Sequence, residues 1–264
     1  GKTDSVMSRQ FAEIDEVLKN AKFNEDNDNL LGKFSNGQYL YQMPWYVVLG
    51  AAGSGKTTAL KQSGLNFPLE SSFGSSISGL AGTRDCDWFL TDQAVLLDTA
   101  GRLSLHDSHS EHDAYDWKEF ITLLKKYRPK QPINGVIVTV GVDDLLEHHN
   151  DIRQLAHELR KRINEMVKYL GINFPVYLMI TKLDMLNGFS EYFKELTPEQ
   201  RERYLGFNFA ALTDQEDSDY LIGYVSKQLA LITDNINASA IRVLNGLPDT
   251  EQNNNAFIFA DECS

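Results

Sequence analysis

The residues Gly50-Ala51-Ala52-Gly53-Ser54-Gly55-Lys56-Thr57 fill every fixed position of G-x-x-x-x-G-K-[ST], a pattern whose chemistry is the grip of a triphosphate. Its glycines allow a tight loop whose backbone N–H groups turn inward on phosphate oxygens. Lys56 adds a point charge, and the Thr57 hydroxyl can ligate Mg²⁺. Thr58 adds a hydroxyl at the start of the following helix. Asp98 closes an apolar strand further on, where a carboxylate can reach Mg²⁺ directly or through water, and Gly101 lets a backbone N–H approach a γ-phosphate. Asp-x-x-Gly alone also suits an ordinary strand-ending turn; it gains meaning by following the glycine-rich loop.

Three further positions belong to the same chemistry. Thr83 lies in the region where GTPases place a threonine that completes Mg²⁺ coordination, although neighbouring serines offer rival hydroxyls. Thr181-Lys182-Leu183-Asp184 resembles the base-reading motif Asn-Lys-x-Asp, with Thr replacing Asn. A carboxylate at Asp184 can accept from both guanine N1–H and its N2 amino group, whereas adenine presents an acceptor there, so GTP is favoured over ATP. Arg102 stands where many Ras-like GTPases carry the glutamine that orients the attacking water, so slow turnover is the expectation. His106, His109 and His112, and the pair His148-His149, are read as solvated side chains rather than metal ligands.

These residues need a scaffold of strands and helices. Trp45 to Leu49 reads as a strand and Thr57 to Gln62 as the opening of a helix, so strand, loop and helix come in the required order. Asp87–Thr91 and Ala94–Leu97 suit an antiparallel hairpin. A helix near Tyr115–Tyr127, a strand Val136–Val140, a helix Asp151–Leu170 and a strand Val176–Ile180 continue in the alternation of parallel crossovers. Ser5 to Phe23 has helical spacing and is followed by a polar linker. Residues 64–84 and 102–113 read as loops. Ser218 to Leu244 reads as a long helix, and Ala256 to Ala260 as a last strand.

A chain of 264 residues with 42% hydrophobic content can fill a sizeable core. A net charge of −12 argues against a general nucleic-acid or anionic-membrane surface, while leaving room for a local anion site. Cys86 and Cys263 form no metal-like cluster and are expected to be reduced thiols. No apolar stretch approaches the roughly 20 residues needed to span a bilayer and no signal peptide precedes the first helix, so the chain is expected to be soluble.

Taken in order, Leu40 to Gly50, Ser63 to Leu69, Gly82-Thr83-Arg84-Asp85-Cys86-Asp87-Trp88-Phe89, Asp98-Thr99-Ala100-Gly101-Arg102, Arg128 to Val136 and Thr181 to Asp184 resemble the IcmF/TssM family. The resemblance is strong from about Leu40 to Leu186 and weaker beyond. It implies a cytoplasmic nucleotide-binding domain cut from a larger inner-membrane protein of bacterial type VI or related type IVB secretion systems. It also implies a DotU/TssL-like membrane partner and contacts with cytoplasmic parts of the apparatus. Some members lack an intact phosphate loop, but Lys56 and Thr57 are both present here.

The resulting expectation is α/β: a Ras-like P-loop NTPase domain, with a mixed, mostly parallel sheet and helices on both faces. Residues 1–39 form a helical arm and linker, and residues 40–264 the domain, with an insertion at about 188–217. The site is expected at the carboxyl ends of the strands, binding GTP or ATP with Mg²⁺. The rival is a docking scaffold in which nucleotide is structural and hydrolysis is not needed.

Overall fold

The computed structural model describes residues 6–25, 38–65, 87–91, 93–99, 111–147, 149–194, 196–201, 205–209 and 218–244. The described chain divides into two compact units, 1–181 and 182–264.

The first unit is built on five strands: β1 (Trp45–Gly50), β2 (Asp87–Leu90), β3 (Val95–Asp98), β4 (Gly135–Gly141) and β5 (Val176–Thr181). Their order is β2-β3-β1-β4-β5. β1 lies parallel to β3 and β4, β4 lies parallel to β5, and only β2 runs antiparallel to its neighbour. The expectation of a mixed, mostly parallel α/β sheet is met.

Alternation along the strands divides the core into two faces. Val47, Leu49, Val95, Leu97, Trp88 and Leu90 share one cluster. It takes in residues of α1 (Val6–Glu25), α3 (Glu111–Tyr127) and α5 (His149–Leu170). Val48, Leu96 and Phe89 point the other way and pack with Leu60 of α2 (Lys56–Lys61). Helices therefore cover both faces. The leading helix is part of the first cluster: Phe11 meets Trp88 edge-on at 4.8 Å between ring centroids and stacks on Tyr127 at 5.3 Å. A short helix that the sequence pattern did not suggest, α4 (Val142–Glu147), follows β4 directly.

Helix ends follow local chemistry. Gly171, with φ of 70°, lets α5 stop, and its N–H bonds back to Val167 O at 3.0 Å. α3 stops before Pro129, where the fully buried Arg128 turns inward. Its guanidinium lies 4.7 Å from the Trp45 ring and 5.2 Å from the Tyr41 ring. Both Nη atoms donate to Asn134 Oδ1 at 3.3 Å, and the same oxygen accepts from Trp45 N at 2.9 Å. The end of α3, the entry to β4 and the first residue of β1 are thus tied together. Burial lowers the Arg128 pKa to about 10, so the group stays charged at neutral pH.

The second unit opens with a 3₁₀ turn, Leu183–Met185, and continues through α6 (Phe189–Lys194), α7 (Pro198–Arg201) and α8 (Ser218–Leu244). Thr197 and Gln200 cap α7 reciprocally: Gln200 N donates to Thr197 Oγ1 and Thr197 N to Gln200 Oε1. The expected strand Ala256–Ala260, most of the loops at 64–84 and 102–113, and both cysteines lie outside the described residues.

Candidate functional site

The carboxyl end of β1 runs straight into the 50–57 loop, and backbone geometry explains why its glycines stand where they do. Gly53 and Gly55 have φ of 77° and 76°, the left-handed region where a β-carbon is costly. Gly50 is a question of room: a β-carbon there would lie 2.2 Å from Thr139 Oγ1 and 2.8 Å from Ser54 Oγ. Gly55 immediately precedes α2, so the loop delivers Lys56 and Thr57 as the first helical residues.

The Lys56 side chain is buried and folds back over the loop. Its Nζ donates to Gly50 O at 3.0 Å and Ala51 O at 2.8 Å. Burial lowers its pKa, and the charge of Asp98 partly offsets that. Thr57 Oγ1 donates to Asp98 Oδ2 at 3.0 Å, joining the start of α2 to the end of β3. Asp98 is fully buried, and its Oδ1 has no hydrogen-bond partner among the described residues. Burial pushes its carboxyl above the usual range, against the opposing pull of Lys56 and the Thr57 hydroxyl. A buried carboxylate oxygen without a partner, beside a threonine hydroxyl, belongs to the hard oxygen donor set that Mg²⁺ takes together with waters. These residues fit such an ion.

Around the loop lies a set of hydroxyls, of which sequence reasoning missed Thr139. Thr139 of β4 is fully buried; its Oγ1 lies 2.9 Å from Ser54 Oγ and donates to Leu49 O at 3.3 Å. Thr181, at the end of β5, donates its hydroxyl to Ser54 O, with Val140 O a second acceptor at 3.2 Å. The residue that replaces Asn in the expected base-reading motif therefore braces the loop. A threonine inside the apolar run Val136–Val140 was the available signal for Thr139, since a lone hydroxyl in a buried strand needs a partner.

Of the residues expected to form the site, the structure brings together Gly50, Ala51, Ala52, Gly53, Ser54, Gly55, Lys56, Thr57 and Thr58 with Asp98 and Thr181. Lys182 and Asp184 begin the second unit. Lys182 takes a left-handed φ of 60°, uncommon for a side chain of its size, and Asp184 is exposed on the 3₁₀ turn. Thr83, Gly101 and Arg102 lie outside the described residues. Among the described residues no helix is long and apolar enough to cross a membrane.

Residues 110–264 match the IcmF-related N-terminal domain, a stretch that begins after the loop and Asp98. The chain is also 42% identical over 213 residues to the type VI secretion system component TssM1 of Pseudomonas aeruginosa, covering 80% of this chain and 19% of that protein. It thus spans about a fifth of the curated relative's length. A domain-level match over more than half the chain and this identity over most of it agree: the chain belongs to the IcmF/TssM family.

Proposed function

We propose that this chain is a P-loop nucleotide-binding domain of a type VI secretion membrane-complex protein, one that holds GTP in preference to ATP and hydrolyses it slowly. The observation that carries the reading is the conjunction at the end of β1 and β3. A loop with two left-handed glycines presents a buried Lys56 beside a Thr57–Asp98 hydrogen bond. That geometry offers what a triphosphate with its cation needs: a glycine loop that can close on phosphate, one fixed positive charge and hard oxygen donors. The secretion assignment draws on the family and on the named relative.

In this reading the loop's backbone and Lys56 hold the β- and γ-phosphates. Thr57 and Asp98 would hold Mg²⁺, which would supply charge neutralisation at the phosphate oxygens. The chain's own contribution is positional and electrostatic. Lys56 is held in place by Gly50 O and Ala51 O before any ligand arrives, so little reorganisation is needed. The Thr139 and Thr181 hydroxyls keep the loop floor in shape. Asp184 supplies guanine preference, and Thr83, Gly101 and Arg102 would respond to the γ-phosphate. The parent protein sits in the inner membrane with this domain in the cytoplasm, beside a DotU/TssL-like partner.

Single-turnover hydrolysis of radiolabelled GTP by the purified chain tests the catalytic part. A rate far below 1 s⁻¹ that disappears in Lys56→Ala is expected. A rate well above 1 s⁻¹ without a partner would contradict slow turnover, and hydrolysis surviving in Lys56→Ala would remove this loop from the reaction.

A further inference from the structure

The net charge of −12 is unevenly spread. No Asp or Glu occurs from residue 120 to 142 or from 166 to 183, stretches that include Lys125, Lys126, Lys130 and Lys168. The fold sets the two side by side where α3 and α5 end. Lys125 Nζ donates to Tyr169 O at 3.2 Å, and the Tyr169 ring centroid lies 5.7 Å from Lys118 Nζ and 5.8 Å from Lys168 Nζ. The ring is 41% exposed, and all five lysines are exposed. None of the five is in an ion pair among the described residues, and Glu165, one turn before Tyr169, is taken by Arg162 at 3.2 Å. Helix C-termini favour cations, but Lys118 stands more than two turns before the end of α3 and Lys130 beyond it, so the macrodipole accounts for only part of the cluster.

We propose that this patch is a membrane-contact surface that takes the headgroups of anionic phospholipids. Its exposed cations are all lysines, because the one arginine of the two stretches, Arg128, is turned into the core. Arginine's planar fork suits a partner's carboxylates at fixed positions, whereas lysine's hydrated point charge on a flexible stem suits a diffuse anionic surface. Tyr169 and the neighbouring Val167, 37% exposed, add the amphipathic ring and the apolar surface that settle at headgroup depth. The patch and the phosphate loop lie at opposite ends of β5. α5 ends shortly before that strand begins, while Thr181 at its far end reaches Ser54 O. The surface is therefore separate from the proposed nucleotide site and does not depend on it.

The test is co-sedimentation of the purified chain with vesicles of equal parts phosphatidylglycerol and phosphatidylcholine, and with vesicles of phosphatidylcholine alone. Binding to the anionic vesicles is expected at low salt, fading at high salt, with none to the neutral ones. Each lysine removed should cost about fivefold, so the triple variant Lys118→Gln, Lys125→Gln, Lys168→Gln should bind about a hundredfold more weakly. A second triple variant, Arg153→Gln, Lys194→Gln, Lys227→Gln, removes the same charge from exposed positions outside the patch and should bind as wild type. Should the first variant misfold by circular dichroism, Lys118→Gln with Lys168→Gln leaves the Lys125 bond to Tyr169 in place and should still weaken binding by about tenfold or more. No binding by wild type, equal binding to both kinds of vesicle, or equal weakening in the two triple variants overturns the proposal. Binding to a polyglutamate peptide without binding to vesicles would also overturn it, and would assign the patch to an acidic protein segment.

Discussion

At the scale of single residues, a few side chains hold the loop in a shape that a ligand could use at once. Thr181 braces Ser54 O from the end of β5, so Thr181→Val leaves a buried carbonyl without its donor, at a cost of about 1–3 kcal/mol. A drop of that size in unfolding free energy by urea titration, with weaker triphosphate binding, is the expected outcome. Asp98 makes a pH prediction. Its folded pKa lies above the unfolded value, so its ionisation costs stability above the folded pKa, and that cost is relieved as pH falls through it. Asp98→Asn should therefore raise the metal-free melting temperature at pH 7.5, with the gain shrinking as pH approaches 4. The motif residues were legible because each fixed position answers one chemical demand. Thr139 was not, because only the packing of β4 under the loop shows which neighbour its hydroxyl meets.

At the scale of elements, α1 and the Arg128 knot govern how β1 is held. Phe11 is 1% exposed and touches Trp88, Phe120 and Tyr127, so Phe11→Ala should cost about 3–5 kcal/mol, which thermal unfolding would read directly. An arm merely tethered to the sheet would lose almost nothing. Arg128→Lys keeps the charge but loses the planar fork and the stacking on Trp45 and Tyr41, so it should also destabilise. Element positions read well from periodicity. The helical spacing of Phe11, Ile14 and Leu18 corresponds to α1, and the long apolar pattern after Ser218 corresponds to α8. α4 escaped notice because it follows β4 without a loop and is only six residues long, too short to show a helical period of its own.

At the scale of the whole molecule, burial is what the sequence told least about. The apolar run Phe174–Ile180 has the composition of a strand covered on both faces, yet Val176, Tyr177 and Leu178 are 46%, 51% and 66% exposed at the β5 edge of the described sheet. An exposed apolar edge is a pairing site, so Leu178→Lys should reduce concentration-dependent self-association in light scattering. The net charge of −12 means that any triphosphate must be drawn in by local groups, with Lys56 foremost. The most direct test of the account is calorimetric titration of wild type and Lys56→Ala with the magnesium complexes of non-hydrolysable GTP and ATP analogues. Tighter binding of the GTP analogue, lost by about a hundredfold or more in Lys56→Ala, is expected. Absence of binding to wild type, or equal affinity in the variant, would contradict it.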